Sequence, residues 1–181
     1  MSEEFEKINS GNGDFAEITA QPIEQRHINI CGLEDISEII IDGDKDMLHQ
    51  VVYNLMENAV KFTNEGGYIK ICAATRPNRT VVTIENSGEG INSEEIKHIF
   101  ERFYKTDKSR SMDKNGMGLG LYIVKTILRL HGGDITADSE LGKSCRFTFW
   151  LPADNTKKGD KDKANVKLIE RQKGKQGNKD E

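Results

Sequence analysis

The chain has 181 residues, of which 35% are hydrophobic and 31% charged, with a formal net charge of −4, so it is long enough for one domain with an ordinary core. The acidic balance argues against a nucleic-acid-binding core, and no apolar run is long enough to cross a bilayer, so we expect a cytoplasmic location without nucleic-acid or membrane contact. The three cysteines lack the spacing of a zinc site, which favours reduced, buried thiols.

The two ends of the chain differ in composition from the middle. Residues 1–14 are polar and rich in Gly and Asn and are predicted to form a flexible arm, whereas a folded domain is expected over residues 15–153. Residues 154–181 hold few apolar side chains, and from residue 155 onward the chain carries nine basic and five acidic residues. Such a segment cannot bury enough apolar surface to order itself, so we predict a disordered charged tail.

Short strands and one long helix are predicted in the first part of the domain. Residues 15–26 are compatible with a short helix that Pro22 interrupts. The segments HINIC and SEIIIDGD favour two short strands separated by a turn. Asp44 then supplies an acidic N-cap for the helix DKDMLHQVVYNLMENAVKFT, which the glycines of NEGG end.

Two hairpins and a second helix are predicted in the rest of the domain. YIKICAAT and TVVTIEN form the first hairpin around RPNR, and DITADSELGKSCRFTFWLP forms the closing one. Between them lie a segment rich in Gly, Ser and Lys and the helix LGLYIVKTILRLHGG. This order predicts an α+β fold, a two-layer α/β sandwich with a mixed sheet and helices on one face.

The long helix carries an unusual polar face. At 100° per residue, Asn54, Glu57, Asn58 and Lys61 lie within roughly 100° of one another, opposite an apolar arc. Asparagine is a poor helix former, so its presence needs a reason. One interpretation is a solvated face. The other is a ligand wall, where amide oxygens suit Mg²⁺, lysine suits phosphate, and Glu57 positions or deprotonates a nucleophile.

Two glycine turns flank the region between the hairpins. SGEGI places Gly88 and Gly90 just after a strand, and NGMGLGL places Gly116, Gly118 and Gly120 just before the second helix. Glycine lets the backbone approach a ligand closely, and a helix N-terminus behind such a turn suits an anion. Neither turn has the Walker or dinucleotide spacing, so each alone also fits an ordinary loop.

Four segments, in this order, resemble the sequence boxes of sensor histidine kinases. HQVVYNLMENAVKFT looks like the N box, ENSGEGI the G1 box, IFERFYKTD the F box and NGMGLGLYIVKTILRLHGG the G2 box. SELGKSCRFTFWLP is similar to the strand pair that closes these domains, so the resemblance runs from about Arg26 to Pro152. It implies the Bergerat-type ATP-binding fold shared with DNA gyrase, mismatch-repair ATPases and heat-shock chaperones, with ATP under a mobile lid.

The resemblance also implies cofactors and residue roles. ATP and Mg²⁺ would be bound, with Asn58 holding the metal and Asn54 beside it, while Lys61 would contact phosphate. The implied catalytic residues are Glu57, Lys61 and Arg102. The remaining implied nucleotide-binding residues are Asn86, Gly88, Gly90 and Ile91 around adenine, and Tyr104, Lys105, Gly116, Gly118, Leu119 and Gly120 at the lid and phosphates.

This sequence departs from the family pattern at two places. The G1 box of the family usually starts with Asp, which accepts a hydrogen bond from the adenine amino group, but Asn86 occupies that position here. A neutral amide oxygen accepts that bond less strongly than a carboxylate does. We therefore expect the affinity for an adenine nucleotide to be lower by about 1 kcal/mol. Ser144 and Cys145 stand where the family has Gly-Thr, which puts a hydroxyl contact to adenine in doubt.

None of the four histidines lies in the sequence context of a phosphoacceptor. We therefore expect this chain to be the catalytic part of a longer two-component sensor, a class of protein that includes integral membrane sensors. We expect no autophosphorylation by this chain alone. It would transfer the γ-phosphate to a histidine on a helical dimerisation and phosphoacceptor domain, with a response regulator downstream.

Two other functions fit part of the pattern. A serine kinase that inhibits a sigma factor shares the implied fold, although IFERFY and GLGLYIVK favour the histidine kinases. A non-catalytic nucleotide-binding interaction module would accommodate Asn86, but the retained Asn58, Lys61 and lid glycines argue against it.

Overall fold

The fold is described by a computed structural model covering residues 21–34, 40–112, 116–153 and 165–167. The strands are β1 (Asn29–Cys31), β2 (Ile40–Asp42), β3 (Tyr68–Arg76), β4 (Arg79–Ser87), β5 (Asp134–Glu140), β6 (Ser144–Pro152) and β7 (Asn165–Lys167). The helices are α1 (Lys45–Phe62), α2 (Asp107–Met112) and α3 (Gly120–Leu130), with a 3-10 turn at Glu95–Lys97. Residues 21–25 are also helical.

The predicted mixed sheet is confirmed. Its order is β1-β3-β4-β6-β5, in which β1 runs parallel to β3 and the other neighbours pair antiparallel. Arg76 pairs with Arg79, so the first hairpin turns where the sequence predicts it. Alternate residues of β4, from Thr80 to Asn86, are buried, which leaves one face of the sheet for the helices and one for solvent.

Helix α1 begins and ends at side chains that satisfy its terminal backbone groups. The carboxylate of Asp44 accepts the N–H of Met47 over 2.9 Å, which confirms the predicted N-cap. At the other end the guanidinium of Arg26 donates to the carbonyls of Val60 (2.7 Å) and Thr63. Both ends of the helix that carries the polar face are thereby fixed.

The core lies between the sheet and the helices α1 and α3. Leu55 of α1, Val124 and Leu128 of α3, and Ile69 and Phe149 of the sheet each expose at most 2% of their surface. Burial of side chains of this size contributes about 1.5–3 kcal/mol each. This packing makes a rigid base for the polar residues at the rim of the two helices.

Two sequence expectations need correction. The thiols were expected to be buried, but only Cys145 is, since Cys31 is half-buried and Cys72 is exposed; Cys72 alternates with buried Ile71 along β3 and so faces away from the helices. Residues 165–167, within the predicted disordered tail, form β7 antiparallel to β2. The rest of that tail and the predicted arm at 1–14 lie outside the described residues.

Membrane insertion was not expected from the sequence. In the part of the chain that the structure describes, no helix combines the length and apolar character needed to cross a bilayer.

Candidate functional site

A cavity of about 490 Å³ lies where α1, the loop after β4 and the segment before α3 meet. This volume is within the usual range for small-molecule sites. Most of the residues singled out in the sequence line it together: Asn54, Glu57, Asn58, Lys61, Asn86, Gly90, Ile91, Tyr104, Lys105, Gly116, Gly118, Leu119 and Gly120.

Two of the singled-out residues do not line the cavity. The N–H of Gly88 donates to the carbonyl of Lys143 over 3.0 Å, and a side chain at Gly88 would collide with the carbonyl of Phe62. Arg102 is exposed and places its guanidinium over the rings of Phe103 (5.0 Å) and Tyr122 (5.9 Å). Gly88 therefore packs closely against neighbouring backbone, and Arg102 belongs to an outer surface beside the cavity.

The C-terminal half of α1 forms the first wall. Asn54 is 7% exposed; its amide oxygen accepts from the amide of Gln50 over 3.1 Å, and its nitrogen makes a long bond of 3.5 Å to the carbonyl of Gly120. Asn58 and Lys61 follow on the same side of the helix and also line the cavity. The polar face of α1 thus looks into a cavity, and Asn54 links it to the start of α3.

The end of β4 and the loop after it form the second wall. Asn86 is 4% exposed and its amide nitrogen donates to the carbonyl of Ser87 over 3.1 Å. Gly90 has a φ of +70°, in the left-handed region that favours glycine. The next N–H, that of Ile91, donates to the hydroxyl of Ser139 over 2.8 Å. A buried neutral amide and a tightly held loop therefore meet at this end of the cavity.

The segment before α3 forms the third wall. Gly118 has a φ of +67°, and a side chain there would come within 2.6 Å of the carbonyl oxygen of Tyr104. Glycine is needed at this position because two stretches of backbone approach each other closely. Tyr104 and Lys105 on one stretch and Leu119 and Gly120 on the other all line the cavity.

Sequence reasoning missed most of the apolar lining. Ile99, Leu121 and Phe147 line the cavity although their pattern is that of ordinary core residues, and hydrophobic periodicity cannot distinguish a pocket wall from a core. Cys145, which stands where the family has Thr, also lines it. Burial raises the pKa of the Cys145 thiol to about 11. The thiol therefore stays neutral at physiological pH and contributes to an uncharged wall.

Charged side chains of both signs line the cavity. They are Lys61, Lys105, Glu57, Glu89 and Glu95, and Glu57 and Glu89 are exposed. Within the described ranges, no three His, Cys, Asp or Glu side chains form a metal cluster. The oxygens of Asn58, Asn54 and Glu57 suit a hard cation such as Mg²⁺, which usually keeps waters and binds substrate phosphates rather than a complete protein cage.

The family comparison covers the whole of this site. Residues 43–155 match the family described as histidine kinase-, DNA gyrase B- and HSP90-like ATPases. The sensor histidine kinase RppB of Synechocystis is 36% identical over 126 residues, which cover 70% of this chain and 28% of RppB. The sensor histidine kinase WalK of Bacillus subtilis is 32% identical over 143 residues, 78% of this chain and 23% of WalK. The chain spans about a quarter of the length of these curated relatives.

Solved structures show the same fold. The catalytic domain of histidine kinase ThkA superposes with a TM-score of 0.64 at 29% identity, covering 77% of this chain and 89% of that domain. Full-length ShkA in complex with AMPPNP gives a TM-score of 0.62 at 28% identity, covering 77% of this chain and 28% of ShkA.

Proposed function

Since the chain belongs to the family of histidine kinase-, DNA gyrase B- and HSP90-like ATPases, we propose that its cavity binds ATP with Mg²⁺. We further propose that it is the catalytic part of a two-component sensor histidine kinase, which transfers the γ-phosphate to a histidine on a separate helical domain. The observation that carries this proposal is that the amides of α1 and the glycine turn before α3 line one cavity.

The phosphates would lie between α1 and the segment before α3. Asn58, with Asn54 beside it, supplies amide oxygens for Mg²⁺, which, when bound, would screen the charge of the phosphate oxygens. Lys61 and Lys105, which line the cavity, supply cationic groups. Glu57 is exposed, so its carboxylate is accessible to orient an incoming imidazole or take its proton.

The nucleobase would lie at the opposite end, among Asn86, Gly90, Ile91 and the apolar wall. The Asn86 nitrogen donates to the Ser87 carbonyl. The amide oxygen of Asn86 therefore points away from this carbonyl and can accept a hydrogen bond from the exocyclic amine of the base. The solved ShkA structure holds AMPPNP, an ATP analogue, which supports an adenine nucleotide as the ligand of this chain.

A surface with exposed aromatic side chains lies next to the cavity. Phe103 is 61% exposed and has a φ of +63°, which is unusual for an aromatic residue. Tyr122 and Ile123 on α3 are each 37% exposed, and the guanidinium of Arg102 lies 5.0 Å from the ring of Phe103 and 5.9 Å from that of Tyr122. Exposed aromatic residues with an arginine are typical of protein interfaces. We propose that the phosphoacceptor domain docks on this surface.

Phosphotransfer in trans tests the proposed function. The chain is mixed with ATP, Mg²⁺ and a helical phosphoacceptor domain from a related sensor histidine kinase, and acid-labile phosphate on that domain is the expected product. Acid-stable phosphoserine on an anti-anti-sigma protein would support the serine kinase alternative, and no transfer to either would support a non-catalytic module.

Variants of the exposed surface separate docking from nucleotide binding. Tyr122→Ala is expected to raise the concentration of acceptor domain needed for half-maximal transfer, with the Kd for ATP unchanged. An equal loss of ATP affinity would contradict a docking role for that surface.

A further inference from the structure

Ser139 on β5 joins two segments that line the cavity, although Ser139 itself does not line it. Its hydroxyl accepts the N–H of Ile91 over 2.8 Å and donates to the carbonyl of Ser144 over 2.7 Å. Ile91 lines the cavity, and so does Cys145, the neighbour of Ser144. One half-buried hydroxyl therefore satisfies a backbone donor on the loop after β4 and a backbone acceptor on β6.

The surrounding backbone reinforces this junction. The N–H of Gly142 donates to the carbonyl of Glu89 over 2.6 Å, and the N–H of Gly88 donates to the carbonyl of Lys143 over 3.0 Å. Residues 88–89 and the β5–β6 turn are thus joined by two backbone hydrogen bonds, and the bond between Ile91 and Ser139 lies at the end of this series. Ser139 adds a side chain to these backbone cross-links.

Gly90 fits closely over this junction. A Cβ at Gly90 would come within 2.9 Å of the Ser139 hydroxyl and 2.6 Å of the carbonyl oxygen of Glu140. The loop therefore lies directly on the serine, and a small change in the Ser139 side chain is transmitted to the backbone of Gly90 and Ile91.

We propose that Ser139 is a positioning residue for the nucleobase end of the cavity, a role that rests on the proposed nucleotide-binding function. Without the hydroxyl, the N–H of Ile91 loses its bond to Ser139 and the carbonyl of Ser144 loses one donor. The loop then gains freedom that a bound nucleotide must remove. The affinity is lost from contacts to the nucleobase and not from contacts to the γ-phosphate. Ser139→Ala should therefore weaken the binding of ATP and of ADP by the same factor, about five- to tenfold.

Ser87 provides a matched control. Its hydroxyl also accepts a backbone N–H over 2.8 Å, that of Tyr68 in the neighbouring strand, and it does not line the cavity. Ser87→Ala thus removes a side-chain bond of the same kind and length, and it keeps the backbone carbonyl of Ser87 that accepts from the Asn86 amide. Ser139→Thr retains the hydroxyl and suits a strand, so it should restore affinity.

Calorimetry and amide exchange together test the proposal. The Kd values of ATP and ADP are measured with Mg²⁺ for the unaltered chain, Ser139→Ala, Ser139→Thr and Ser87→Ala, at a temperature where all are folded. Hydrogen exchange at the Ile91 amide is measured without nucleotide. We expect weaker binding and faster Ile91 exchange in Ser139→Ala alone.

The outcomes distinguish this inference from the proposed function. If the unaltered chain binds nucleotide and Ser139→Ala binds it equally well, the positioning role is wrong while the function stands. If the unaltered chain binds none, the proposed function fails and the positioning role fails with it. Unchanged exchange at Ile91 in Ser139→Ala contradicts the role independently of any nucleotide.

Discussion

The imidazole Nε2 of His131 accepts the backbone N–H of Asp44 over 3.0 Å. Its other nitrogen, Nδ1, lies 2.8 Å from the carbonyl oxygen of Ile127 and donates to it, which fixes the neutral tautomer. A side chain at Gly43 would come within 2.8 Å of the same ring. The end of α3 is thereby joined to the start of α1, the two helices that flank the cavity.

His131→Leu is expected to destabilise the domain by about 0.5–1.5 kcal/mol, because the N–H of Asp44 loses its hydrogen bond to the imidazole and leucine offers no acceptor. Urea unfolding followed by circular dichroism measures this as a lower midpoint with an unchanged slope. His98→Leu serves as the control, because His98 is exposed, and its partners are Glu101 at the surface and the ring of Tyr104 at 5.7 Å. This change should alter stability by less than about 0.5 kcal/mol. Equal effects of the two substitutions would contradict the junction.

Arg26→Ala is expected to cost about 1.5–3 kcal/mol of unfolding free energy, because a charged donor is removed from the carbonyls of Val60 and Thr63 at the end of α1. The same unfolding experiment measures it. Arg79→Ala, at an exposed position of the β3–β4 turn, is the matched control and should stay within about 0.5 kcal/mol. A similar loss in both variants would mean that Arg26 acts through its charge and not through its position at the helix end.

Glu85 should make stability depend on pH. Burial raises the pKa of Glu85, but hydrogen bonds from Tyr68 (2.8 Å) and Arg146 (2.6 Å) outweigh burial and hold this pKa below its usual range. A lowered pKa in the folded state means that the contribution of the carboxylate is complete above the unfolded pKa, roughly 4.3, and is lost as the pH falls through the folded value.

The measurement is the unfolding free energy of the unaltered chain and of Glu85→Gln between neutral and acidic pH. The unaltered chain should be the more stable at pH 7, and the difference should shrink below about pH 4.3. A difference that stays constant, or grows, on acidification would rule out a stabilising carboxylate at this position.

Asn86→Asp should tighten adenine nucleotide binding at neutral pH. A carboxylate accepts a hydrogen bond from an amine more strongly than an amide does, by about 1 kcal/mol, or about fivefold in Kd. The empty domain should lose stability, because the position is only 4% exposed and a charge there is poorly solvated. Titration with ATP and unfolding without it measure the two effects; weaker binding of ATP would contradict the assigned contact.

Local sequence signals predicted the elements that contain the site. The N-cap of Asp44, the hairpin turn beside Arg76 and the helix after Gly118 each follow from residue types within a few positions of one another. The 3.6-residue period placed Asn54, Asn58 and Lys61 on one face, and that face lines the cavity. Their roles in binding stay predictions.

Features that depend on distant contacts were not predictable. Ile99 and Phe147 line the cavity, but apolar side chains in a pocket wall and in a core have the same sequence pattern. Arg102 follows the F box pattern closely, yet a stack with Tyr122 of another helix directs it outward. The pairing of β7 with β2 joins segments more than 120 residues apart, and no local pattern specifies such a register.

Calorimetric titration of the chain with ATP and Mg²⁺, beside the variant Asn58→Ala, tests the central claim most directly. We expect the unaltered chain to give saturable heat at one nucleotide per chain. Asn58→Ala should lose the part of this heat that depends on Mg²⁺. The circular dichroism spectrum and the unfolding midpoint of the variant should stay close to those of the unaltered chain. Absence of heat with the folded, unaltered chain, or identical Mg²⁺-dependent binding by Asn58→Ala, would contradict it.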